Sequence, residues 1–158
     1  MYFNGSVVFP SQICHSSQTL QLFTDASAEI GFGAFFDGSW THGRWLLSVR
    51  SMQLSSSIAF LELVPIVLAL RLWGSVLSYK CVIFWSDNEA VVTIINRQPS
   101  RCLKSVQLVR TLVIRCLELN IHFMAKHIPG IDNGIADALS RFQMSRFRQL
   151  FCAECHLD

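Results

Sequence analysis

Four carboxylate side chains lie in parts of the sequence where acidic residues are unusual. Asp25 interrupts an apolar β-rich run, and Asp87 ends the apolar run CVIFWSD. Glu62 lies in a long apolar helical pattern, and Asp137 lies in the mostly apolar segment IADALSRF. Burying a carboxylate is costly unless it is paired or bound to a metal. No basic residue lies in the strands around Asp25 and Asp87, so nothing local neutralises them.

Taken together, the four acids predict a metal site. Each one alone has an ordinary interpretation, since an isolated Asp at a strand end is more often a turn or cap residue. Four clustered carboxylates without cations among them would repel each other and bind hard divalent ions. Ligands that are all oxygen favour Mg²⁺.

The first half of the chain predicts an antiparallel meander followed by a helix. Three β-rich runs, LQLFTDAS, IGFGAFFDGSW and GRWLLSV, are separated by turn-forming residues. Ser55, Ser56 and Ser57 are N-cap candidates for the apolar helix that follows. Pro65 should kink this helix or relocate its first turn.

The second half alternates strands and helices. CVIFWSD predicts a buried central strand, and NEAVVTIINRQ predicts a helix closed by Pro99. The segment 101–119 predicts an amphipathic helix with a cationic edge, and IHFMAKHI predicts a fifth strand. IADALSRF predicts a final short helix.

The order βββαβααβα predicts a mixed α/β fold with one five-stranded sheet, in which a meander is followed by crossover units. We expect a lead-in or linker over residues 1–18, one domain over 19–142 and a C-terminal tail over 143–158. The 158 residues, 51% hydrophobic and 15% charged with 12 Phe and 4 Trp, suffice for one core and exclude intrinsic disorder.

The segment 58–77 is apolar enough to be a membrane span by hydropathy. Glu62, Arg71 and Pro65 inside it favour a buried amphipathic helix instead. We therefore expect no membrane contact.

The six cysteines are scattered, and no export signal is evident, so we expect reduced thiols in an intracellular protein. Cys152, Cys155 and His156 form C-x-x-C-H, which elsewhere would indicate haem attachment or half a zinc site. No second ligand pair lies nearby, and we interpret this spacing as accidental.

The charge is distributed unevenly. Residues 1–89 hold 4 basic and 6 acidic side chains, whereas residues 90–150 hold 9 basic and 3 acidic ones. This asymmetry is consistent with a phosphate-backbone surface beside a carboxylate site, or with an ordinary solvated helix face.

Four blocks in order, FTDAS (23–27), IAFLELVPIVLAL (58–70), FWSDNEAVVTIIN (84–96) and AKHIPGIDNGIADALSRF (125–142), carry a family resemblance. They resemble the ribonuclease H domain of retroelement polyproteins, most of all the tyrosine-recombinase retrotransposons of the DIRS type. The likeness runs from about Leu20 to Arg148. The segment YFNGSVVF (2–9) also resembles the one that joins a reverse transcriptase to this domain.

The resemblance implies the ribonuclease H fold, a five-stranded mixed sheet with three antiparallel and two parallel strands, flanked by helices. It assigns the catalytic acids to Asp25, Glu62, Asp87 and Asp137, and it implies a monomer that hydrolyses the RNA strand of RNA/DNA hybrids beside a reverse transcriptase domain. Two Mg²⁺ ions, which Mn²⁺ can replace, would be bridged by Asp25. Asp137 would complete one metal site, and Glu62 and Asp87 the other.

The resemblance also matches His127 and Asn133 to a mobile histidine loop. His127 could shuttle a proton or help to eject product, or it could be an ordinary loop histidine.

The remaining nucleic-acid contacts are predicted from polar and basic side chains near the site. The family often has Asn or Gln just before the helical Glu, whereas Ile58 and Ala59 stand there in this chain. The predicted contacts are Ser27, Asn88, Asn133, Arg97, Arg101, Lys104 and Arg110.

Two other functions fit the same residues. One is a catalytically weak or inactive nucleic-acid-binding module that keeps the fold. The other is a DNA nuclease or integrase of the same fold, which the ADALSR segment and the His127 loop disfavour.

Overall fold

The computed structural model describes residues 19–48, 58–97 and 102–155. A single five-stranded sheet has the order β3-β2-β1-β4-β5. Strands β1, β2 and β3 are antiparallel, while β4 and β5 run parallel to β1, as predicted. The strands are β1 Thr19–Ala26, β2 Gly31–Phe36, β3 Ser39–Arg44, β4 Cys81–Ser86 and β5 His122–His127.

The third strand begins earlier than the sequence pattern indicated. The run GRWLLSV was expected to form it, but β3 is Ser39–Arg44 and pairs Phe36 with Ser39. Asp37 and Gly38 form the two-residue turn, with φ of 45° and 74°. Asp-Gly accommodates two positive φ angles, which fit the twist of a hairpin. The turn therefore falls inside the predicted second run.

The parallel strands place two of the acids at one edge of the sheet. Phe23 of β1 pairs with Trp85 of β4, so Asp25 near the end of β1 lies level with Asp87, directly after β4. The carboxyl ends of parallel strands are where open α/β sheets bind ligands.

Five helices surround the sheet within the described residues. They are α1 Ile58–Leu77, α2 Glu89–Arg97, α3 Leu103–Glu118, α4 Gly134–Ser140 and α5 Met144–Cys155. Helix α1 is already formed at Ile58 and continues through Pro65, so Pro65 does not relocate its first turn. By length and composition α1 could cross a membrane, and 56% of its most apolar window is buried inside the protein.

Each face of the sheet has its own core. On one face, Leu22, Val82 and Phe84 pack with apolar residues of α1, α2 and α3. On the other, Phe35 packs with Leu139 of α4 and Phe147 of α5. The segment expected to be a tail, 143–158, thus contributes a helix to the second core.

Several expectations fall partly or wholly outside the described residues. The lead-in over 1–18, the serine caps at 55–57, Pro99 and Arg101 lie outside them. The expectation of six reduced thiols is wrong for Cys81, which is disulfide-bonded. Cys116 and Cys152 are free thiols.

Candidate metal-binding active site

Three of the four predicted acids converge in space. One carboxylate oxygen from each of Asp25, Glu62 and Asp87 lies within 4.8 Å of the others. They come from β1, α1 and the residue after β4. Only tertiary packing brings them together, because α1 lies against the end of β1. Within the described residues, no ion pair joins a basic side chain to any of the three.

Glu62 is one of two deeply buried ligand candidates. Its residue is 4% exposed, and its Oε2 atom has no hydrogen-bond partner among the described residues. Burial raises the pKa of Glu62 to about 9, and the nearby charges of Asp25 and Asp87 add to the effect, although the Ala26 backbone N–H opposes it. A buried carboxylate oxygen without a partner fits a site built to receive a cation.

Asp25 is also 4% exposed, and Ser140 of α4 donates a hydrogen bond to its Oδ2 atom. Burial raises the pKa of Asp25 to about 6, although the Ser140 hydrogen bond lowers it; repulsion by Asp87 and Asp137 adds to the rise.

Asp87 is the partly exposed member of the group. The next residue, Asn88, accepts hydrogen bonds at Oδ1 from the backbone N–H groups of Ala90 and Val91, at 3.0 and 3.4 Å, and so caps α2. A Cβ atom at Gly130 would lie 3.3 Å from Oδ2 of Asp87. The loop after β5 therefore passes directly beside this carboxylate.

Asp137 differs from the other three because it is ion-paired. Its Oδ1 accepts from Arg141 Nε at 2.6 Å, and its Oδ2 accepts from Arg146 Nη1 at 2.5 Å. Burial favours the neutral acid, but the hydrogen bonds and charges of the two arginines outweigh it and lower the pKa of Asp137. Asp137 is not part of the group within 4.8 Å, yet its charge raises the pKa of Asp25.

His127 is the last residue of β5 and pairs in register with Ser86. Its side chain is exposed. It therefore stands at the end of the predicted fifth strand, directly before the loop that leads to α4. Its assignment to proton transfer stays a prediction.

Three predicted nucleic-acid contacts already have structural roles. The Ser27 carbonyl accepts from Trp45 Nε1 at 2.6 Å, and its hydroxyl accepts from the Ile30 N–H. Asn88 caps α2, and the Asn133 Nδ2 donates to the Thr24 carbonyl at 3.0 Å. Asn133 is 2% exposed, so it fixes the start of α4 against β1.

The basic candidates lie on two helices. Arg97 is exposed at the end of α2, and Arg110 is exposed on α3, while Lys104 is half-buried on α3. Their role in binding phosphate stays a prediction.

Sequence reasoning missed Ser140, Arg141 and Arg146. The spacing of Asp137 and Arg141, four residues apart in a helical pattern, was a usable signal for an ion pair. Nothing in the local pattern indicated Arg146, because it lies on a different helix. Ser140 is completely buried, and no signal pointed to Asp25 as its partner.

The residues present fit a divalent metal. Three carboxylates offer only oxygen ligands, carry no paired cation among the described residues, and include one orphaned oxygen on Glu62. Burial raises the pKa of Asp25 and of Glu62, and a bound cation would favour the ionised form of both side chains.

The fold is similar to that of several solved RNase H structures. The N-terminal RNase H domain of Rv2228c from Mycobacterium tuberculosis, solved as a fusion with maltose-binding protein, matches with a TM-score of 0.61 at 14% identity, over 84% of this chain and 97% of that one. RNase H1 from Halobacterium salinarum gives 0.57 at 12% identity, over 77% and 92%. LC11-RNase H1, solved in complex with an RNA/DNA hybrid, gives 0.52 at 15% identity, over 77% and 91%.

These similarities confirm the ribonuclease H-like fold. No protein-family model and no curated protein matches the sequence. The comparisons give no support to a retrotransposon origin.

Proposed function

We propose that the chain is a divalent-metal-dependent nuclease that hydrolyses the RNA strand of RNA/DNA hybrids. The convergence of Asp25, Glu62 and Asp87 at the carboxyl ends of β1 and β4 carries this proposal. The same fold occurs in RNase H proteins, one of which was solved with an RNA/DNA hybrid.

The three carboxylates are suited to phosphodiester hydrolysis. Divalent cations held there would neutralise the charge that develops on the phosphate and activate the attacking water. Asp25, whose Oδ2 atom accepts a hydrogen bond from Ser140, would hold a cation together with Glu62 and Asp87. The sequence resemblance supports Asp25 as the ligand shared between two ions. Mg²⁺ fits this oxygen-only ligand set, with Mn²⁺ as a substitute.

The finer assignments rest on the sequence resemblance. It supports a second metal ion bound through Asp137, a proton-transfer or product-release role for His127, and an origin in a retroelement polyprotein beside a reverse transcriptase. A metal at Asp137 would compete with the two arginines that pair with this carboxylate.

The arginine pair on Asp137 also favours a second candidate function. If both arginines stay in place, the site holds only three free acids, and the chain would be a nucleic-acid-binding module with weak catalysis. Cleavage assays distinguish the two functions.

The test is cleavage of a labelled RNA/DNA hybrid by the chain, with duplex DNA of the same sequence as the comparison. We expect Mg²⁺-dependent cleavage of the hybrid RNA strand, and Glu62→Gln should reduce it to below about one hundredth because a metal ligand is lost. The matched control is Glu29→Gln, an exposed glutamate before β2, which should keep full activity. Preferential cleavage of duplex DNA, or no metal-dependent cleavage at all, would overturn the proposal.

A further inference from the structure

Helix α5 follows the predicted domain, which was expected to end at residue 142, and it places the guanidinium group of Arg146 beside Asp137. Its position is fixed by Phe147, which is 3% exposed and packs with Phe35 and Leu139 in the second core. The ring of Phe147 also lies 5.0 Å from that of Trp40. This anchoring places Arg146, the preceding residue, over α4.

Arg146 contacts Asp137 by a charge-assisted hydrogen bond. Its Nη1 atom lies 2.5 Å from Asp137 Oδ2 and 2.9 Å from Gln143 Oε1. Arg141 occupies the other oxygen, Oδ1, at 2.6 Å. Because each oxygen already accepts a charge-assisted hydrogen bond, a cation at Asp137 would have to compete with both guanidinium groups.

The Asp137–Arg146 ion pair is weak enough to exchange. The side chains of Arg146 and Asp137 are 44% and 22% exposed. Exposed ion pairs contribute little, because water screens them and both side chains lose freedom. Arg141 directly follows α4, the helix that carries Asp137, whereas Arg146 belongs to α5.

A released Arg146 would have an obvious partner in a nucleic-acid substrate. Guanidinium groups bind phosphate oxygens with two parallel hydrogen bonds, and phosphates are where nucleic-acid-binding proteins place most of their contacts. The backbone of Arg146 would stay in place during this exchange, because the next residue, Phe147, is held in the second core.

We propose that Arg146 is an exchangeable counter-ion of Asp137, which holds this carboxylate in the metal-free site and passes to a backbone phosphate of the substrate when a divalent cation takes the carboxylate. The inference rests on the proposed function and adds α5 to the substrate-binding surface. In this proposal the metal and Arg146 compete for the Asp137 carboxylate. Metal binding and nucleic-acid binding are then cooperative, because the metal releases Arg146 to bind a phosphate.

The first test measures metal binding without nucleic acid. Thermal stabilisation of the full chain is followed against Mg²⁺ and Mn²⁺ concentration. Arg146→Gln should lower the half-saturating concentration by about two- to fivefold, the size expected for a partly exposed ion pair. Arg148→Gln, an exposed arginine on the same helix, is the matched control and should leave it unchanged.

The second test measures hybrid binding by fluorescence anisotropy at saturating Mg²⁺, on a Glu62→Gln background that prevents cleavage. Arg146→Gln should weaken binding and lower the slope of log affinity against log salt by about one unit, because one phosphate contact is lost. Arg146→Lys should restore most of the salt slope, since the charge is kept.

The exchange predicts that Arg146→Gln tightens metal binding and weakens hybrid binding, and these opposite effects distinguish it from a purely structural ion pair. A structural pair would lower the melting temperature without tightening metal binding, and that result would overturn the proposal. So would equal effects of Arg146→Gln and Arg148→Gln. If Arg146→Gln does not fold, the test uses Arg146→Lys in a chain that also carries Asp137→Asn. Without the Asp137 carboxylate, the metal affinity should be the same with Arg or Lys at position 146. A difference between the two would refute the exchange. Because metal binding is measured without cleavage, a chain that cleaves nothing still decides this inference.

Discussion

At the scale of single residues, the chemistry depends on carboxylates that the protein does not neutralise. Asp25 has its pKa raised to about 6 because it is buried and lies near Asp87 and Asp137. At pH 8 it is therefore ionised at a cost in stability that only a bound cation would offset. The ionised Asp25 side chain that would bind a metal therefore lowers the free energy of unfolding of the metal-free protein.

Asp25→Asn should make the metal-free protein more stable while abolishing most activity. Asn resembles the protonated acid and can still accept the Ser140 hydrogen bond, so we expect a gain of about 1–3 kcal/mol in the free energy of unfolding at pH 8. Urea denaturation with and without Mg²⁺ measures this gain, and Mg²⁺ should stabilise the variant less than wild type. A variant that fails to fold would show instead that Asp25 is structural.

At the scale of elements, the site depends on how closely α4 approaches β2. Gly33 pairs with Asp25 in register and lies under α4. A Cβ atom there would lie 2.5 Å from Leu139 Cβ, 2.7 Å from the Ala136 carbonyl oxygen and 2.8 Å from the Ser140 nitrogen. Two of these three neighbours are backbone atoms, so only a shift of the whole helix could make room.

Gly33→Ala should therefore move α4 and with it Ser140 and Asp137. We expect a loss of about 1–3 kcal/mol in stability from overpacking, together with weaker metal binding. Gly74→Ala is the matched control, because its Cβ would meet Leu119 Cδ1 at 2.7 Å, a side-chain end in the α1–α3 contact. Denaturation curves and metal titrations of both variants test this. Unchanged metal affinity in Gly33→Ala would mean that α4 does not set the geometry of the acids.

At the scale of the whole molecule, the acidic site sets how stability varies with pH. Burial raises the pKa of Asp25 from 3.8 to about 6 and of Glu62 from 4.5 to about 9. The folded chain therefore binds more protons than the unfolded chain between about pH 4 and 9, and stability falls as pH rises through this window. The effect of Asp137 on the pH dependence of stability has the opposite sign. Because its pKa is lowered on folding, Asp137 contributes stability above about pH 4, and this contribution is lost on acidification.

We thus expect the metal-free protein to lose about 3 kcal/mol or more between pH 5 and pH 8. Saturating Mg²⁺ should reverse much of this loss, because the metal binds the ionised folded state. Thermal melts across pH, with and without Mg²⁺, measure both effects. Glu62→Gln should flatten the part of the curve above about pH 6, and an unchanged curve in that variant would contradict the assignment.

The sequence by itself determined the parts of this protein that depend on local pattern. Apolar alternation and helical periodicity predicted the five strands and the first four helices, but not α5, which lies in the segment expected to be a tail. Acids in apolar segments identified Asp25, Glu62 and Asp87. These signals are reliable because a buried strand or helix needs a continuous apolar face, and an acid within it is conspicuous. The third strand was misplaced because the Asp-Gly turn at residues 37–38 lies inside an uninterrupted β-rich run.

Only the tertiary structure decided which groups contact the acids. Asp137 looked like the other three carboxylates in sequence, but two arginines pair with it. Arg146 reaches it because Phe147 anchors α5 in the second core, so its position follows from packing between elements. Ser140 likewise meets Asp25 only where α4 lies against β1. Such contacts depend on how helices pack, and no local periodicity encodes them.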